Sequence, residues 1–182
     1  MKQLTLVIVL ILIATTAMAT QHDEKKMMAS SEATMLQLDP MVGKWQCTGM
    51  AYATPWGPEH PTAGEVTQGW ILDGKWVNFT YAEKKTAQNP TPFTVTGYVG
   101  YDPELKTFVI GSVDSAGGYS TGASSGWVGD AMTFEGPWHI GGMTAKSRDT
   151  FTKKGTSELS HLGELEQNGA WMKLVQERCT RK

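Results

Sequence analysis

"GKWQC" at residues 43–47 and "CTR" at residues 179–181 hold the two cysteines of this 182-residue chain, one at each end of a long patterned stretch. "GKWQC" opens the first of a series of runs rich in Val, Thr, Tyr, Phe and Trp, separated by turn residues. We read ten strands, at 44–53, 63–72, 75–84, 93–102, 106–114, 119–127, 131–138, 143–152, 156–165 and 170–181. Asp73-Gly74 and Asn168-Gly169 are two-residue hairpin signals, because both turn positions need positive φ. Lys154-Gly155, Gly141-Gly142, Asp102-Pro103 and Ala116-Gly117-Gly118 mark further turns. No stretch in this region reads as a long helix. Ten antiparallel strands must deal with their unpaired edges, and closing the sheet into an up-and-down barrel removes them. A sandwich is the alternative architecture.

"GKW" at the first strand, followed by a meander that ends in an arginine, resembles the calycin barrels, the group that includes lipocalins. The block "GYVGYDPELKTFVIGSVDSAGG" (97–118) and the closing "CTRK" (179–182) are similar to the family called domain of unknown function 1579, whose barrels are nitrobindin-like. The resemblance covers about residues 36–182. It implies a calycin-like barrel in which Trp45 sits at the closed end with Arg181 packed across it. Facing residues in an antiparallel pair have a constant sum of positions, and Trp45 with Arg181 gives the same sum as Cys47 with Cys179. The register implied by the resemblance therefore predicts a Cys47–Cys179 disulfide between first and last strands; two free buried thiols are the alternative.

Ahead of the barrel, Lys2, an apolar run over 4–14 and Ala17-Met18-Ala19 read as a secretory signal peptide cleaved after Ala19. The run is too short to span a bilayer as a helix. Residues 20–31 read as a flexible leader, and one helical turn is expected before Pro40, leaving 32–182 as the barrel domain. Loss of nineteen residues from 182 leaves a single domain of 163, with 15 basic and 18 acidic side chains. That balance offers no strong field for nucleic acid or an anionic membrane. The mature chain is expected to lack a membrane span and to be secreted or periplasmic, where an oxidising environment favours paired cysteines.

Chemistry is sparse. "GYSTG" (118–122) and "GASSG" (122–126) match the serine-hydrolase elbow, but no helix follows, so Ser120 and Ser124 read as parts of a curved strand. His22, His60, His139 and His161 do not make a two-histidine metal spacing, and no metal site is expected. Nitrobindin-type barrels hold haem through a histidine. Their first strand is richer in glycine than "GKWQCTGMA", and the last strand here has no histidine, which argues against haem. Alternation places His161, Lys173 and Glu177 towards the lumen, with Arg148 joining them from the eighth strand. Such a cluster serves either as a structural ion pair or as a grip on a ligand carboxylate. Trp76 joins it as an aromatic lining candidate, and the proline-rich loop 54–62 stands at a barrel mouth.

The expectation is an exported barrel binding a small hydrophobic or amphipathic molecule in its lumen, without a catalytic constellation. The alternatives are a haem-dependent or hydrolytic enzyme using the lumen, and a protein-interaction module acting through its loops.

Overall fold

A computed structural model describes residues 30–55 and 57–182. The expected signal peptide, most of the leader, His22 and Trp56 lie outside the described residues. The chain is helical from Ser30 and passes through a 3-10 turn at Leu36–Leu38. Helical backbone thus takes in Ser30 and Ser31, which the sequence reading gave to the leader.

Eleven strands follow: β1 (Gly43–Ala51), β2 (His60–Ile71), β3 (Trp76–Glu83), β4 (Thr94–Asp102), β5 (Thr107–Asp114), β6 (Tyr119–Ser124), β7 (Trp127–Val128), β8 (Ala131–Ile140), β9 (Met143–Lys153), β10 (Glu158–Gln167) and β11 (Ala170–Arg181). β7 is a two-residue stub on β8. The other ten pair in sequence order as antiparallel neighbours, β1 meets β11, and β6 meets β8, which closes the barrel. Both edges are gone, as the reasoning from edge strands requires. The loop expected at 54–62 is shorter, because His60, Pro61 and Thr62 already pair with β1.

The closing register is the one expected: Trp45 faces Arg181 and Cys47 faces Cys179. Cys47 and Cys179 form a disulfide across 132 positions of sequence. Trp45 is buried, its indole Nε1–H donating to the Met41 carbonyl at 2.8 Å. The Arg181 guanidinium lies 4.2 Å from the Trp45 ring centre and donates to the carbonyls of Val42 (2.6 Å), Pro40 (3.0 Å) and Thr156 (3.2 Å). One cation thus covers the aromatic floor and satisfies carbonyls at the chain's turn into β1. Gly43 has a φ of 134°, a backbone conformation that favours glycine, and a Cβ there would lie 2.6 Å from Arg181 Nη1 and displace that guanidinium.

Below this floor Met35, Leu38 and Met41 pack against Val77, Val99, Phe108, Met132 and Phe134 to form the main core. Trp70 Nε1–H donates to Asp39 and Trp127 Nε1–H to the Gln37 carbonyl, fastening the helical segment to the barrel end. The hairpin turns follow the local chemistry. Asn168 and Gly169 take φ of 54° and 79°, while Asp73-Gly74 sits in a longer turn in which Leu72 also has positive φ.

Candidate functional site

Above Trp45 the barrel is not filled. A cavity of about 550 Å³ runs from Met41 and Trp45 at the closed end to Thr54, Pro58, Phe93 and Ala116 in loops at the other. Its walls come from the inward parity of each strand: Phe79 and Tyr81 on β3, Val95 and Val99 on β4, Ile110 on β5, Phe134 and Trp138 on β8, and Phe151 on β9. Among the described residues, lumen aromatics therefore line the space without occupying it.

One wall is polar. Glu177 of β11 is 5% exposed, and its Oε1 accepts from Tyr81 Oη–H and Thr62 Oγ1–H, each at 2.8 Å. His161 of β10 lies beside it, with Nδ1 3.9 Å from Glu177 Oε2 and Nε2 2.8 Å from Asp149 Oδ1. The imidazole stacks on Phe151 at 4.9 Å between centres. Burial disfavours the His161 charge, but the Asp149 and Glu177 carboxylates outweigh it and hold its pKa up to about 9. Burial likewise opposes ionisation of Glu177, yet the His161, Thr62 and Tyr81 donors hold its carboxyl below the usual range. Burial, with the neighbouring Glu177 charge, pushes the Tyr81 phenol well up. Nearer the loops, His60 Nε2 lies 3.2 Å from Glu83 Oε1, and Glu83 Oε2 accepts from the Phe93 N–H at 2.9 Å. On the facing wall Asp114 accepts from Trp138 Nε1–H at 3.2 Å, and the Ser112 and Ser120 hydroxyls lie 2.7 Å apart.

His161 and Glu177 therefore meet in the lumen, and the remaining three lining candidates do not join them. Lys173 is exposed, and its ammonium donates to Gln176 at 3.0 Å. The β10–β11 register shifts between Gly163 and Glu164, so Val175 and Lys173 are successive partners and Leu174 is an extra residue. That bulge reverses the parity carried back from Cys179. Arg148 faces outward: it pairs with Glu164 at 2.6 Å and lies 4.1 Å from the Trp171 ring centre. Asp149, its neighbour, takes the inward position. Trp76 is also outside, because Val77, Phe79 and Tyr81 hold the inward parity of β3; its ring covers Gly100, where a Cβ would be 2.6 Å away. Lys173→Ala is expected to change unfolding free energy by less than about 0.5 kcal/mol, measured by denaturant titration.

The sequence reading missed Tyr81, Thr62, Glu83 and Asp149. For two of them the signal was parity: Asp149 lies two residues from the inward Phe151, and Tyr81 two from the inward Phe79.

The serines of the Gly-x-Ser-x-Gly matches lie on β6, where Ser120 is hydrogen-bonded to Ser112 and Ser124 Oγ accepts from the Gly126 N–H at 3.2 Å. Neither serine has a histidine partner in these contacts. Both nitrogens of His161 face carboxylates, so it is poorly disposed to act as a base. His60 Nδ1 lies 3.0 Å from the Pro58 carbonyl and Nε2 faces Glu83. The four ring nitrogens of His60 and His161 thus each face a protein oxygen, at 2.8 to 3.9 Å. His139 stacks on Tyr119 at 4.4 Å and contacts Thr144 at 2.9 Å. Among the described residues, the one metal-like grouping is Cys47, Cys179 and Glu177, and its sulfurs are bonded to each other. No helix among the described residues is long and apolar enough to cross a membrane.

A family model described as a protein of unknown function (DUF1579) matches residues 30–181. No curated protein matches the chain. Among solved structures, the chain is similar to Rv2717c from M. tuberculosis, at 15% identity and a TM-score of 0.62, covering 81% of this chain and 97% of that one. A redesigned beta barrel aligns at 11% identity and a TM-score of 0.41, covering 80% and 95%. At these identities the likeness to Rv2717c is one of fold.

Proposed function

The chain belongs to the DUF1579 family of proteins of unknown function, and we propose that it is an exported barrel that holds one small hydrophobic or amphipathic molecule in its lumen. One observation carries this reading: a cavity of about 550 Å³ has apolar and aromatic walls and a polar cluster on one side. That size and division of surface are those of small-molecule pockets, in which apolar area supplies affinity and a few polar groups fix orientation. The Cys47–Cys179 bond supports export, since such a bond persists in oxidising compartments. A hydrolytic reading lacks support, because His161 is held between two acids and His60 between the Pro58 carbonyl and Glu83, neither beside a serine.

Titration with Nile red, a neutral apolar fluorophore, tests the reading. Saturable one-to-one binding is expected, with weaker affinity in Ile110→Trp, whose larger side chain takes up part of the cavity. Circular dichroism checks that the variant is folded. Absence of saturable binding to the folded wild-type protein would remove the reading.

A further inference from the structure

We propose that the lumen ligand is an organic cation, an amine or quaternary ammonium carried on an apolar body. The inference rests on the lumen-binding reading above and names the ligand class of that same site. Its basis is the charge inventory of the cavity wall. Among the described residues, no lysine or arginine lines the cavity. Lys173 and Arg148, the two cations that would have gripped a carboxylate, project from the outer surface.

The wall instead carries the carboxyl groups of Glu83, Asp114, Asp149 and Glu177 against two histidines, His60 and His161. Glu164 also borders the space, but its carboxylate is paired with Arg148. Even with both histidines charged, an excess of negative charge remains.

Within that inventory Asp149 is the group placed to meet a ligand. Its side chain is 44% exposed while lining the cavity, and its hydrogen bond among the described residues runs through Oδ1 to His161. Glu177, by contrast, is buried and already accepts from Thr62 and Tyr81. Phe134 faces Asp149 across the β8–β9 pair, and Phe151 lies two residues along the same strand. An ammonium at Asp149 therefore meets a carboxylate and aromatic surface together, and both favour a cation. A ligand carboxylate there would face Asp149 and Glu177 with one imidazolium already shared between them. Like charges in a low-dielectric cavity repel strongly.

Displacement of Nile red from the wild-type protein at pH 7 by decylamine, decanol and decanoate provides the test. These probes share one apolar chain and differ in head charge. Decylammonium is expected to bind at least about tenfold more tightly than decanol, with decanoate weakest. Asp149→Asn is expected to narrow the ammonium-to-alcohol ratio to within about threefold. The wild-type ranking tests the proposal whether or not that variant folds. Nile red bound but displaced equally well by decanol or decanoate would overturn the cation and leave the lumen reading intact. Failure of Nile red to bind would overturn the lumen reading and the cation with it.

Discussion

Replacing both cysteines, as Cys47→Ala with Cys179→Ala, is expected to lower the unfolding free energy by about 4 kcal/mol. The bond joins β1 to β11 across 132 positions, so in the unfolded chain it ties almost the whole barrel into one loop. The chain-entropy account values a loop of that length at about 5 kcal/mol, and the strain of any real crosslink reduces the figure. The native state adds a packing loss, because Cys47 is fully buried and Cys179 nearly so, against Trp45 and Leu159. For a domain of this size the change corresponds to a fall in Tm of roughly 10 °C. Thermal melts of oxidised wild type, reduced wild type and the double variant check it. The reduced wild type should melt near the variant, and a shift under about 2 °C for both would show that the clasp contributes little.

The second large effect concerns pH. His161 has a folded pKa raised to about 9, against an ordinary value near 6.5, through Asp149 and Glu177. Its contribution to stability is therefore complete below about pH 6.5 and is lost as pH rises through 9. A difference of that size corresponds to about 3 kcal/mol. Glu177 acts in the opposite sense: its depressed pKa stabilises the fold above the ordinary carboxylate range and loses that contribution as pH falls. The paired groups thus give a plateau between the ordinary Glu and His values, bounded by one loss on each side. In His161→Gln the alkaline decline should be largely absent. Urea midpoints for wild type and variant between pH 6 and pH 9.5 measure it. Parallel curves for the two proteins across that window would show that His161 is not held as an imidazolium.

The barrel was legible because its signals were redundant. Alternating runs, turn pairs and the shared Trp45–Arg181 and Cys47–Cys179 register all required the same closed sheet. The polar wall was only half legible. His161 and Glu177 lie on stretches where parity held from a fixed anchor. Lys173 lies beyond the Leu174 bulge, and nothing in the local pattern "WMKLVQ" marks where the extra residue falls. Arg148 and Asp149 are adjacent polar residues on a strand polar on both faces, so the choice between them needed Phe151 as an inward marker. Trp76 was misplaced by a general expectation about aromatics. Its position one residue before Val77 puts it outside, over a glycine on the next strand.

We propose the lumen as the binding site. An amide NMR map of the protein titrated with decylamine tests it most directly. Shifts are predicted at Tyr81, Asp149, Phe151, His161 and Glu177, which approach the cavity from four strands. Shifts confined to the exposed outer-face residues Tyr98, Val113 and Tyr119, with the lumen wall unmoved, would contradict it.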